Sequence, residues 1–265
     1  MARPAPSGPL VARWLDWRVD QPRAGALGSA TVEVQNAGSA TWRPGFQTGV
    51  NLAYHWLDER GNAIVWDGVR TVLDGPVPPG EVVSAAMEVR APIPPGRYRL
   101  SFDLVDERRT WFAEVGSPPL ELEQEVLPRV RRALAVRGGD AHALAAQEEP
   151  LVSEEEAEVL AFLGEACVPP PDWSRRVLDA HEEGYAVVGG SIRPPRRLGR
   201  RAGSLEPWAP GTGRVPGFPH PFVCPSVVRG TAVEWLDPVA GLPAARRADD
   251  EPWLYDGRIS LTLRR

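Results

Sequence analysis

Val159-Leu-Ala-Phe-Leu-Gly-Glu-Ala-Cys-Val-Pro-Pro-Pro-Asp-Trp173, continued by Gly184-Tyr-Ala-Val-Val-Gly-Gly190, is the stretch from which the organisation of this chain can be worked out. Val159 to Leu163 is an apolar run long enough for a buried strand and too short for a helix. Pro169 to Pro171 end it, and Asp172 stands where a helix N-cap belongs, ahead of Trp173, Val177 and Leu178. Gly184 closes that helix, and Tyr185 to Val188 is a second strand run that ends in Gly189-Gly190. Strand, turn, helix and strand make a βαβ unit, whose ligands gather at the carboxyl ends of the strands.

Upstream, the pattern changes from mixed to purely alternating. Thr31 to Gln35 alternates and breaks at Asn36-Ala-Gly38, and Val50, Leu52, Tyr54 and Trp56 fall on one face of the next run. Further runs cover Ala63 to Leu73, Val82 to Val89, Tyr98 to Val105 and Leu120 to Val126, with Pro-Pro-Gly joints at Pro78 and Pro94. About seven strands without helical periodicity predict a β-sandwich over residues 10–127. Trp42, Trp56 and Trp111 read as core, and His55 as a structural residue. Trp14 and Trp17 are candidates to stack on a sugar face; three positions apart on one strand, they should point to opposite sides.

Residues 128–152 have the composition of a linker with a short helix, and residues 153–265 form the second, smaller α/β segment. Ser153-Glu-Glu-Glu156 fits a capping box. Beyond Gly190, Arg193 to Arg201 is basic and proline-rich; Arg196 and Arg197 are candidates for clamping phosphate, although a solvated loop explains them too. Trp208 to Pro225 must be mostly loop or edge strand, given its glycines and prolines.

Composition excludes several classes. A net charge of −5 offers no basic face for nucleic acid. All 30 basic residues are arginine, which points to a GC-rich bacterial source. Cys167 and Cys224 have no metal-ligand spacing and make no secreted disulfide framework. The first ten residues lack a signal-peptide core and no run could span a bilayer, so a cytoplasmic protein is expected, at most membrane-adjacent.

Two resemblances add to this reading. Asn36-Ala-Gly-Ser-Ala-Thr-Trp42, Tyr54-His-Trp56, Gly68-Val-Arg-Thr71, Pro95-Gly-Arg-Tyr98 and Thr110-Trp-Phe112 together resemble an immunoglobulin-like accessory domain of bacterial surface-glycan enzymes. Cys167 to Trp173 and Gly184 to Gly190 resemble the middle of a family 2 glycosyltransferase. That resemblance implies an Asp-any-Asp motif holding a divalent ion against a nucleotide-sugar diphosphate, which hard oxygen ligands suit. Here those positions read Gly164, Glu165 and Ala166, and Glu165 is out of phase. The resemblance also implies a nucleotide-binding half before Val159, for which too few residues remain, and a general base ahead of a Leu-rich helix near the end. Asp249, Asp250, Glu251 and Asp256 are the base candidates, and Glu165, Gly189 and Gly190 the sugar- or nucleotide-binding ones.

Three functional readings follow. The favoured one is a transferase-related protein of bacterial surface-glycan assembly, a non-catalytic accessory that binds glycan or a glycan-synthesis partner, without metal or cofactor. The second is a working glycosyltransferase with a divalent ion. The third is a β-sandwich interaction protein with a remnant second half, whose open sheet edges would favour a homodimer.

Overall fold

The structure, a computed structural model, describes residues 8–194, 205–211 and 213–264. The chain divides into two compact units, Met1–Leu127 and Pro128–Arg265. Among the described residues, the regular structure of the first is all strand apart from one 3-10 turn at Ala113–Val115. Its strands are β1 (Ala12–Val19), β2 (Leu27–Asn36), β3 (Val50–Leu57), β4 (Ala63–Val65), β5 (Thr71–Val72), β6 (Val82–Arg90), β7 (Gly96–Asp106), β8 (Thr110–Trp111) and β9 (Leu120–Val126). One sheet has the order β1-β2-β6; the other runs β4-β3-β7-β8, with β5 added to β3 and β9 to β7. Every pairing among these named strands is antiparallel.

The two sheets share one core. Val32, Val34, Trp42, Leu52, Tyr54, Trp56, Leu100 and Phe102 are essentially without solvent contact. The alternation of β3 is as the sequence predicts: Val50, Leu52, Tyr54 and Trp56 enter the core cluster. Asn51, Ala53 and His55 on its other face are buried as well. Three expectations need correction. The Ala63 to Leu73 run is not one strand; it breaks between β4 and β5, where Gly68 lies so close to Tyr54 that a Cβ would come within 2.6 Å of the ring. Trp111 is only half-buried. Trp14 and Trp17 do not face opposite ways: a bulge between Trp14 and Asp16 pairs them with Val34 and Val32, two core-facing residues.

The second unit contains β10 (Leu134–Arg137), α1 (Ala141–Ala145), β11 (Val159–Phe162), β12 (Cys167–Val168), α2 (Trp173–Glu183), β13 (Val187–Arg193), β14 (Arg214–Pro216), β15 (Phe222–Val223), β16 (Ser226–Val228), β17 (Val233–Val239), β18 (Leu242–Arg247) and β19 (Trp253–Leu263). A mixed sheet runs β10-β11-β16-β13-β19-β12, with β14 on β19. β16 is antiparallel to both β11 and β13, so those two strands run parallel with β16 between them. The expected strand-helix-strand crossover is therefore present, widened by one inserted strand. A smaller antiparallel sheet has the order β15-β18-β17.

Here too the structure departs from the sequence reading. The stretch read as linker supplies β10, which pairs in parallel with β11. The carboxyl-terminal segment is not a helix but the 11-residue strand β19, parallel to β13. Ile259 and Leu261 are buried there with exposed Arg258 and Thr262 among them, and the neighbouring strand supplies the hydrogen bonds a helix would have made internally. Ser153 to Glu156 closes a single turn, in which Ser153 donates its hydroxyl to Glu156 at 2.8 Å. Asp172 occupies the N-cap of α2 but does not cap it: its carboxylate accepts from Arg176 Nε at 2.6 Å. The amide of Ser174 donates instead to Gln147 Oε1 at 2.9 Å, from a residue 27 positions away.

Candidate functional site

Two places carry the chemistry that the sequence raises. The first is the carboxyl end of β11. The chain leaves Leu163, passes Gly164 and returns through a tight turn in which the amide of Cys167 donates to the Gly164 carbonyl at 2.9 Å. Gly164 is buried, and a Cβ there would lie 2.7 Å from Leu242 Cδ2 and 3.6 Å from Cys167 Sγ. Phe162 meets Trp235 of β17 edge-on, with ring centroids 4.5 Å apart. The β17–β18 hairpin thus lies over the strand end where the family resemblance calls for two carboxylates. Glu165 and Ala166 are exposed beside it. The residues present do not fit a divalent ion: one position is occupied by apolar packing and the other carries a methyl group.

The glycine pair that follows has a packing cause. A Cβ on Gly189 would sit 2.9 Å from the Phe222 ring, and one on Gly190 would sit 1.7 Å from the Ile259 carbonyl oxygen. At Gly190 the pairing with β19 passes over a bulge, from Asp256 directly to Ser260, and the extra residues press against the glycine.

The four acidic candidates have separate partners. Asp249 accepts from the Glu251 amide at 2.9 Å. Asp250 is fully exposed and 3.4 Å from Arg247, whereas Glu251 pairs with Arg129 at 2.5 Å. Asp256 is 4% exposed and is held by Arg258 at 2.6 Å and Arg214 at 3.5 Å. Burial opposes its charge, but the Arg258 side chain and amide, helped by the charge of Arg214, outweigh that and hold the carboxyl below its ordinary range. A carboxylate so held is a weak proton acceptor. Arg196 and Arg197 lie outside the described residues.

Cys167 and Cys224 are both buried, with Sγ atoms 3.7 Å apart. Diamide treatment of the folded protein is expected to join them. Mass spectrometry would show the loss of two hydrogens, and neither thiol would then be alkylated in denaturant. Unchanged alkylation of both thiols would show that the pair cannot close.

The second place is on the first unit, over the outer face of β3. His55 is 5% exposed and stacks on Trp66, with centroids 4.4 Å apart and planes at 24°. Its other ring neighbour is Trp111, also at 4.4 Å but inclined at 61°. His55 Nδ1 donates to the Trp66 carbonyl, which fixes the tautomer. Burial, aided by the charge of Arg70, lowers the imidazole below its usual range despite that hydrogen bond. His55 is therefore a neutral support at pH 7.

Arg70 lies 4.8 Å above the Trp111 ring and is fixed by Glu107 at 2.8 Å, Asp67 at 2.5 Å and the Gly68 carbonyl at 3.1 Å. The cleft so formed encloses about 270 Å³ and is walled further by Arg108, Arg109, Thr110 and Glu114. Trp66 is 54% exposed; one face rests on His55, so the opposite face is open to solvent. Trp14 is half-buried and donates its indole N–H to the Pro118 carbonyl at 3.1 Å, while Trp17 is 46% exposed. Sequence reasoning placed the aromatic surface at Trp14 and Trp17 and missed the cleft. The Asp67-Gly68 dipeptide inside an apparent strand was the available signal, since such a pair marks a turn.

No protein-family profile matches the sequence, and no curated protein matches it. Among solved structures, the chain is similar to the C-terminal domain of wzt at 12% identity and a TM-score of 0.30, covering 47% of this chain and 80% of that one. A family 123 glycoside hydrolase from Clostridium perfringens aligns at 12% identity and a TM-score of 0.26, over 64% of this chain and 32% of its own. A protein from Bordetella pertussis described as ApaA aligns at 17% identity and a TM-score of 0.24, over 48% of this chain and 100% of its own. At such identity and superposition these likenesses do not establish a shared fold.

Proposed function

We propose that this chain is a glycan-binding accessory protein of bacterial surface-glycan assembly that transfers no sugar itself. In this reading an immunoglobulin-like first unit binds and a second unit of transferase ancestry serves as scaffold. The observation that carries it is the packing of Leu242 against Gly164. A sugar-nucleotide enzyme of the resembled family needs an anionic anchor at that position, and here an apolar side chain fills the space. Among the described residues no three His, Cys, Asp or Glu side chains come together as a metal site. The parallel β11-α2-β13 crossover supports the transferase ancestry. No helix among the described residues is long and apolar enough to cross a membrane.

Calorimetric titration with UDP-glucose or UDP-galactose and manganese is the direct test. The expected result is no metal-dependent heat and no UDP release in the presence of acceptor glycans. Micromolar, metal-dependent binding would overturn the reading in favour of an active transferase.

A further inference from the structure

Resting on that glycan reading, we propose that the cleft between Trp66, Arg70 and Trp111 is the glycan site, and that it takes an uncharged saccharide rather than an acidic one. Three features of the cleft converge. The first is the open face of Trp66. An indole ring offers flat apolar area at little entropy cost, and the apolar C–H face of a pyranose is its natural complement. Trp66 is also held still, because His55 supports it from beneath by stacking and by the hydrogen bond to its carbonyl. A platform fixed before binding loses less freedom when the sugar arrives.

The second feature is the balance of charge. Three guanidinium groups in the wall, Arg70, Arg108 and Arg109, face three carboxylates, Asp67, Glu107 and Glu114. Arg70, the cation nearest the rings, is already engaged: three of its five N–H groups go to two carboxylates and a carbonyl, and Trp111 lies against its plane. An acidic sugar approaching it would meet the carboxylates of Asp67 and Glu107 already paired there, and like charges repel. Sugar hydroxyls, by contrast, can donate to the exposed oxygens of Asp67 without breaking anything. The third is size: about 270 Å³ suits a short saccharide segment, not a broad protein interface.

The test is binding of the full chain to immobilised neutral polymers (mannan, galactan, β-glucan) and to uronate polymers (polygalacturonate, alginate), followed by titration with oligosaccharides of any that bind. We expect retention on at least one neutral polymer and none on the uronates. The Trp66→Ala variant should lose affinity about tenfold or more, the scale of one aromatic contact. Raising sodium chloride from 50 to 500 mM should leave the wild-type affinity within about twofold, since screening acts on charged ligands. Trp66 is more than half exposed, so the variant should fold, and an unchanged melting temperature would check this. Binding that prefers uronates, falls with salt or survives Trp66→Ala would overturn this assignment and leave the glycan reading standing. Retention on none of the polymers would overturn both.

Discussion

Gly190→Ala is expected to prevent the second unit from folding. Any Cβ at that position would lie 1.7 Å from the Ile259 carbonyl oxygen and 2.7 Å from its carbon, both of them backbone atoms. Neither can be moved by choosing another rotamer. Relief would require β13 and β19 to separate where their ladder carries seven paired positions and a bulge. Backbone overlap of this kind belongs with the exceptional substitutions, costing upwards of about 4 kcal/mol, a large share of a domain's usual 5–15. Gly189→Ala provides the graded control. Its Cβ would meet the Phe222 ring at 2.9 Å, a side chain that can shift, so a loss of about 1–3 kcal/mol is expected. Soluble yield and thermal melting followed by circular dichroism distinguish the two. A well-folded Gly190→Ala protein would show that the β13–β19 pairing is not as described.

The second large effect is loss of stability in acid, centred on His181. This residue of α2 is completely buried. Its Nδ1 donates to the Tyr185 carbonyl at 2.8 Å, and Nε2 faces Ser226 Oγ at 2.9 Å. A carbonyl only accepts, so Nδ1 carries the proton and Nε2 of the neutral ring is the acceptor, sharing the Ser226 hydroxyl with the Val188 carbonyl at 3.2 Å. Burial, with the nearby charge of Arg129, lowers the imidazole to about 3, and the Tyr185 carbonyl opposes this only in part. The unfolded chain has an ordinary histidine and so takes up a proton at a higher pH than the folded one. Stability from this site is therefore complete above pH about 6.5 and declines by about 1.4 kcal/mol per unit as the pH falls. By pH 3 the loss reaches about 5 kcal/mol, enough to unfold many domains. Asp256, held ionised by its arginines, adds a loss of the same sign at lower pH. His181→Leu should be less stable at neutral pH by about 1–3 kcal/mol, because the Tyr185 carbonyl loses its donor and Ser226 keeps only the Val188 carbonyl at 3.2 Å. Between pH about 6.5 and about 4.5, above the range where Asp256 contributes, its urea midpoint should fall distinctly less steeply than that of the wild type. Parallel slopes would remove His181 as the cause.

Local signals made much of this fold legible. Alternation marked β2, β3, β6, β7 and β9 because each has one face in a shared core, and burial imposes a period of two. The β11-α2-β13 unit was visible because proline, aspartate and glycine punctuate it within some thirty residues. What escaped was non-local. Nothing in Ser226 to Val228 tells that it inserts between two strands that precede it in the chain. The family resemblance implies a helix where β19 stands, although Ile-Ser-Leu-Thr-Leu263 alternates; its fate is settled by pairing with β13. Asp172 stands at the cap position but turns to arginines within a helical turn, leaving Gln147 to satisfy Ser174. For the candidate site, the missing carboxylates could be read directly, but their replacement by Leu242 could not. The aromatic cleft was hidden because it depends on where a strand breaks, between Trp66 and Arg70, and on what that break brings over His55.

The contact of Leu242 with Gly164 also limits what mutation could later do to this protein. An aspartate introduced at 164 alone would push a charge into an apolar contact and be selected against for misfolding. Trimming Leu242 first would open a void with no compensating gain. Each single step towards a metal-holding site therefore costs stability, and the packing acts as a ratchet against regaining one at this strand end.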